Sequence, residues 1–213
     1  MTTLDWRAVI ARIWEIYRAH TAVLLGTALV LFAVQFVVLL LAPGASVAVT
    51  ILFWALSILY QGMVVELVGD VEGGRRDHSV SDLLRSVEPV LLALMAVSAL
   101  FVVGVAIGIL FLIVPGLILL VMWAVVAPVT VLERPGVFAA FGRSRELVRG
   151  NGWAVFAVIV VVGLTVIVAS LAAGLLAASL GSLGRALVQW AVTSAVAPVS
   201  ALSASVLYFS LRG

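Results

Sequence analysis

Apolar stretches long enough to cross a bilayer, roughly 20 residues each, alternate along this chain with short segments in which apolar and charged residues recur at helical spacing. Residues 4–20 set Trp6, Val9, Ile10, Ile13 and Tyr17 on one helical face and Asp5, Arg12 and Glu15 on the other, which predicts an amphipathic helix. A first span follows over about 19–41, a turn at "APGAS" (42–46) with Ser46 as N-cap, and a second span over about 47–68. The polar run "GDVEGGRRDHS" separates them from a second amphipathic helix. Ser79 opens it, Asp82 stands in capping-box position, and Val80, Leu83, Leu84 and Val87 form its apolar face.

From Pro89 to Leu132 no residue is charged. That run is too long for one crossing and fits two, over about 90–113 and 116–132, folded at "VPG" (114–116) where Pro and Gly supply the turn. Charges then return together in Glu133, Arg134, Arg143, Arg145, Glu146 and Arg149. Here Val137, Ala140, Phe141, Ser144, Leu147 and Val148 predict the inner stripe of a third amphipathic helix, with Arg143, Glu146 and Arg149 opposite. Gly150 ends it and Asn151 caps the next. A fifth span over about 153–177, the turn "SLGSLGR" and a sixth span over about 186–210 complete the pattern.

The expected fold is all-α, a polytopic membrane helix bundle in one domain over 1–213. It has six transmembrane helices and three interfacial amphipathic helices. Charge at the bilayer centre costs about 2.5–3.5 kcal/mol per residue on insertion scales, so charges collect where the chain emerges, and a helix lying in the surface plane uses both phases. The pattern acid-apolar-apolar-Arg recurs as "EIYR" (15–18), "DLLR" (82–85) and "ELVR" (146–149), and "VAPVTVL" (126–132) matches "VAPVSAL" (196–202). These mark three pseudo-repeats, about 1–70, 71–134 and 135–213, each one surface helix plus two spans.

Composition narrows the class. The chain is 65% hydrophobic and 10% charged, against about 25% charged in soluble domains. Cysteine is absent, which excludes disulfides and thiolate metal sites. Lysine is absent too, and with the Ala, Val, Leu and Gly richness this points to a GC-rich bacterial genome. A net charge of +2 gives no case for nucleic acid. The first apolar run is too long and begins too late for a cleaved signal peptide.

Glu66 and Glu133 stand at span ends near the arginines and have two readings. One is a polar vestibule for an ion or proton. The other, favoured because acids at span ends are not within the apolar layer, is pairing with Arg134, Arg143 or Arg149 to pin a surface helix to the bundle. Gln35 and Gln61 lie deeper, as expected of inter-helix hydrogen bonds. Pro128 and Pro198 are expected to kink spans four and six. Gly104 and Gly108 form GxxxG, and Ser170, Gly174 and Ala178 form a small-residue ridge, each suited to close packing within the chain or between protomers. His20 and His78 have no companions at metal spacing, and the acids at 70, 72 and 77 read as an ordinary solvated loop. No nucleophile elbow, phosphate loop or metalloprotease motif occurs. No catalytic, cofactor or metal residue is assigned.

The segment "VPGLILLVMWAVVAPVTVLERPGVFAAFGRSRELVRGNGWAVF" resembles the shared region of the glycerophosphoryl diester phosphodiesterase membrane-domain-like and YciC-like families of bacterial six-span proteins. Pro115, Gly116, Trp123, Pro128, Glu133, Gly136, Arg143, Ser144, Leu147 and Gly150 carry the likeness, over about a fifth of the chain. The resemblance implies no catalysis, since the phosphodiesterase activity of fused relatives belongs to a soluble barrel. The expected function is therefore a non-enzymatic membrane scaffold or lipid-interacting module. The alternative is a small transporter or exporter of apolar or lipid-like solutes with Pro128, Pro198, Glu66 and Glu133 around its path.

Expected partners are membrane lipids, anionic in headgroup, touched by Arg12, Arg18, Arg85, Arg143 and Arg149, with a homo-oligomer or membrane-protein partner also open and no cofactor required. Every arginine except Arg185 falls on one side of a six-span chain. The positive-inside rule places that side, with both termini, in the cytoplasm of a bacterial inner membrane. Cysteines engineered near residue 140 should react with membrane-impermeant maleimide only after the cells are opened. Labelling of intact cells at that position would overturn the orientation.

Overall fold

The computed structural model describes residues 4–41, 47–74 and 80–212. In chain order these form helices α1 (Trp6–Ala19), α2 (Thr21–Leu41), α3 (Val47–Glu72) and α4 (Val80–Val87), then a 3₁₀ turn (Glu88–Val90). Helices α5 (Leu91–Phe111), α6 (Ile113–Met122), α7 (Val126–Leu132), α8 (Val137–Val148), α9 (Gly152–Ala178) and α10 (Ser182–Arg212) follow, and no strand occurs among the described residues. Among the described residues, six segments are long and apolar enough to cross a membrane: Thr21–Val38, Thr50–Glu72, Leu83–Phe111, Ile113–Leu132, Gly152–Ala178 and Ser182–Arg212. The 42–46 turn with Ser46, the cap at Ser79, the side chains of Gln35 and Asp82, and the loop holding His78 lie outside the described residues.

Packing is concentrated at one end of the bundle. Helix α10 is its hub, touching α1, α2, α3, α7, α8 and α9. Val64, Val65, Leu67 and Val68 near the end of α3 are buried, as are Ala204, Ser205, Val206, Leu207 and Tyr208 near the end of α10. The short elements close around these two ends. Helix α1 contributes Val9, Ile13 and Ile16, α4 contributes Leu83 and Val87, α8 contributes Ala140 and Val148, and α7 is buried from Val126 to Val131. At the opposite end the apolar side chains face outward: Leu110 is 84% exposed, Phe111 80% and Leu175 78%. In water such a surface would collapse or aggregate; against hydrocarbon it carries no such penalty, because lipid tails are as apolar as leucine.

Two expectations about the uncharged run are corrected. The reversal between spans three and four lies at Leu112, whose extended backbone (φ −164°, ψ 139°) separates α5 from α6. Pro115 and Gly116 sit inside the first turn of α6 instead. Pro115 fits there because the first backbone N–H groups of a helix have no intrahelical acceptor. Gly116 acts through its size: a Cβ on it would lie 2.6 Å from the Ile109 backbone nitrogen, and one on Gly108 would lie 2.8 Å from the Gly116 Cα. The GxxxG pair therefore serves contact within the chain. Gly108 takes the backbone of α6, and Gly104 takes the Trp123 ring, whose Cζ3 would lie 2.5 Å from an added Cβ.

Span four is also not one kinked helix. It breaks at Trp123–Val125 into α6 and α7, and Pro128 is the third residue of α7, again where no N–H is needed. Trp123 holds the break, with its ring 4.8 Å from that of Phe141 and 6.4 Å from that of Phe101. Pro198, by contrast, lies within the continuous α10 and is buried. It deprives the Ser194 carbonyl of its intrahelical donor, and the adjacent Ala195 carbonyl accepts from the Tyr17 hydroxyl at 3.3 Å. Small residues at 104, 108 and 116 should thus be indispensable to the hairpin. Gly116→Val should destabilise the purified protein by about 1–3 kcal/mol through overpacking, read as unfolding in detergent. Gly142→Ala, with open space around the added Cβ, should be neutral or slightly stabilising.

Candidate functional site

The polar chemistry gathers at the packed end, where three short helices are tied to the ends of spans. At α7, Glu133 Oε2 accepts from Arg143 Nε of α8 at 2.9 Å, and Glu133 Oε1 accepts from the Tyr208 hydroxyl of α10 at 2.8 Å. Tyr208 in turn accepts from Arg212 Nη1 at 2.9 Å, and Arg143 Nη1 also reaches Glu146 at 3.4 Å. Glu133 thereby joins three elements. Only 19% of its side chain is exposed. Burial alone would raise its pKa, but the Tyr208 hydroxyl and the Arg143 guanidinium outweigh it and hold the carboxyl below its ordinary value.

A second tie uses Arg134, which has a left-handed backbone (φ 50°) just before Pro135. Such a conformation is uncommon for a side-chain-bearing residue. It lets Arg134 turn back: Nε donates to the Val131 carbonyl at 3.3 Å and Nη2 to the Ser86 carbonyl at 3.3 Å, and Nη2 stands 4.0 Å from Glu66. A cation on a carbonyl in the last turn of α4 also suits that helix's dipole. The third tie joins α1 to α3. Arg12 donates to Glu72 Oε1 through Nη2 at 2.9 Å and Nε at 3.2 Å, and its Nη1 lies 2.9 Å from Glu15. Glu72, read from sequence as a solvated loop acid, is a structural partner.

Among the arginines assigned to headgroups, Arg12 and Arg143 are thus engaged with carboxylates inside the protein, while Arg18, Arg85 and Arg149 are exposed and form no ion pair among the described residues. Arg145 joins this second group. Its four-residue spacing from Arg149, which sets both on one helical face, was the available signal. Asn151 does not cap α9 with its side chain; its Oδ1 accepts from the Leu4 backbone N–H at 3.0 Å and so fastens the start of the chain. Tyr208 and Arg212 gave no sequence signal, because they close a long apolar run.

Two of the cavities among the long helices carry polar side chains on their walls. One of about 360 Å³ between α2, α3, α9 and α10 is lined in part by Ser57, Tyr60, Gln61, Gln189, Thr193 and Ser200. Another of about 260 Å³, between α3, α5 and the α6–α7 break, shares Ser57 and Gln61 with it and adds Trp54, Ser98 and Trp123. Neither is lined by Glu66 or Glu133; Ala197 and Ala201, near Pro198, line the first, and Ala127, next to Pro128, lines the second. Two further hollows meet at the α8–α9 junction. One is lined by Met122, Gly142, Arg145, Glu146, Arg149 and Gly152, and the other is apolar and runs between α6 and α9. No group of three metal-ligating side chains occurs among the described residues.

Compared with protein-family models, curated proteins and solved structures, the chain matches none.

Glu133 makes the pH response definite. Because its folded-state pKa is lowered, its contribution is fully present above the ordinary carboxyl value of 4.5 and is lost as the pH falls below that through the depressed value. Glu133→Gln should cost about 1–3 kcal/mol at neutral pH, measured by unfolding in detergent, and its curve should converge with that of the unaltered protein in acid. A gap that persists unchanged in acid would show that the ionised carboxylate is not what holds α7, α8 and α10 together.

Proposed function

We propose that this chain is a non-enzymatic, multi-pass module of a bacterial inner membrane that engages anionic lipid headgroups, with its arginine-rich end and both termini in the cytoplasm. Its plan is three units, each a short amphipathic helix followed by two crossings, in keeping with the resemblance to the membrane-domain-like and YciC-like families. The observation that carries the reading is a division of labour among the arginines. Arg12, Arg134 and Arg143 are spent on Glu72, Glu66 and Glu133, whereas Arg18, Arg85, Arg145 and Arg149 are exposed and have no carboxylate partner among the described residues. Guanidinium groups left over at a membrane surface attract anionic lipid at about 1 kcal/mol each.

The second reading, a transporter of lipid-like solutes, draws its support from the two hollows that share Ser57 and Gln61 deep in α3. Uncharged polar side chains among spans suit an amphiphile better than an ion. A single comparison separates the readings. In nanodiscs of increasing phosphatidylglycerol content the protein should gain thermal stability, the gain should shrink at about 1 M salt, where the screening length is about 3 Å, and Arg18→Gln with Arg85→Gln should reduce it. If stability ignores lipid charge, while reconstituted vesicles pass a fluorescent lipid analogue in a manner abolished by Gln61→Leu, the transport reading replaces the first.

A further inference from the structure

The two hollows at the α8–α9 junction have complementary chemistry and share Gly152. The first, about 590 Å³, is bounded by Met122 from the end of α6, by Gly142, Arg145, Glu146 and Val148 of α8, and by Arg149, Gly150 and Gly152. Arg145 and Arg149 bring two guanidinium groups to it with no ion-pair partner among the described residues. Glu146 is the one acid on its wall, and its carboxylate is turned to Arg143 at 3.4 Å. Gly142 keeps the wall open, since an added Cβ would meet nothing within 4 Å. The first turn of α9 also opens here without a side-chain cap, because Asn151 is occupied by Leu4.

The second hollow, about 390 Å³, continues from Gly152 between α6 and α9. Its walls are Val114, Leu117, Ile118 and Val121 on one side and Trp153 and Phe156 on the other. The α6 residues recur at helical spacing, so they form one stripe leading from the arginines toward the exposed Leu112 end. Trp153, 85% exposed, stands at the junction of the polar and apolar parts, the position indole favours at a membrane–water boundary.

We propose that this junction is a discrete binding site for one anionic phospholipid, with its phosphate between Arg145 and Arg149 and an acyl chain along the α6–α9 groove. Charge complementarity selects the occupant: a neutral apolar solute leaves two guanidinium groups unmatched, and a free phosphate leaves the groove unfilled. The proposal rests on the lipid-engaging reading above but narrows it from a diffuse surface attraction to a stoichiometric site.

The test is native mass spectrometry of the full chain in neutral detergent. It is titrated in parallel with dioleoyl phosphatidylglycerol, dioleoyl phosphatidylcholine and sn-glycerol 3-phosphate. One phosphatidylglycerol should bind at least tenfold more tightly than phosphatidylcholine, and glycerol phosphate should not compete at equal concentration. Arg145→Gln with Arg149→Gln should remove the preference. Gly142→Phe, which fills the headgroup hollow without changing charge, and Ile118→Trp, which fills the groove, should each weaken phosphatidylglycerol binding by tenfold or more. Arg18→Gln with Arg85→Gln should leave this first bound lipid unchanged. If that last pair weakens binding as much as the Arg145 and Arg149 pair, attraction is diffuse; the site is overturned while the general reading survives. Equal competition by glycerol phosphate overturns the lipid as occupant, and no preference for phosphatidylglycerol at any arginine overturns both.

Discussion

The chain has ionised groups it must keep and an apolar layer that will not take them. Everything about its architecture follows from where those groups are allowed to meet. Carboxylates at the ends of α3 and α7 and guanidinium groups on α1, just after α7 and on α8 come together at one end of the bundle, and each meeting ties one element to another. Within a bilayer no difference in apolarity between protein and solvent draws helices together. Definite geometry has to come from close packing and from a few charge-assisted bonds, which are stronger than neutral ones. The charge-assisted bonds and most of the buried side chains are found at the same end here, while at the other end the close approach of Gly108 and Gly116 holds the α5–α6 hairpin.

This arrangement gives the acids at the ends of the long apolar helices a structural role. Glu133 is saturated by a tyrosine, an arginine and the chain of donors behind them, and holds three helices in register. A group so committed is poorly placed to bind and release a solute. The hollows deeper in the bundle carry a few hydroxyls and amides among mostly apolar walls instead.

Much of the element pattern was legible in the sequence because it depends on periodicity and on the length of apolar runs. The crossings and the short helices begin and end within a few residues of their expected bounds. The misses share a cause. Leu112 reverses the chain with no turn residue at all, and Pro115-Gly116, the obvious breaker, is spent on starting a helix and letting it approach Ile109. The Trp123 break is enforced by neighbours distant in sequence, Gly104 and Phe141, which local rules do not see. For the same reason Tyr208 was invisible as a partner of Glu133: one hydroxyl in an apolar run has no signature until the fold brings the two together. The tie of Arg12 to Glu72 was hidden because the two stand 60 residues apart on different helices, whereas Arg143 had already stood among the expected partners of Glu133.

The hub of the bundle, α10, follows the other nine α-helices of the described residues in chain order. During synthesis the earlier helices therefore enter the membrane without the element that α1, α2, α3, α7, α8 and α9 all pack against. Glu133 has its arginine early and its tyrosine late. Until α10 arrives, α2 and α3 are held to the second half of the protein chiefly through α3, and the faces that α10 covers in the finished fold stand open. The order of the chain thus makes assembly a closing step, in which one late helix turns a loose set of hairpins into a single body.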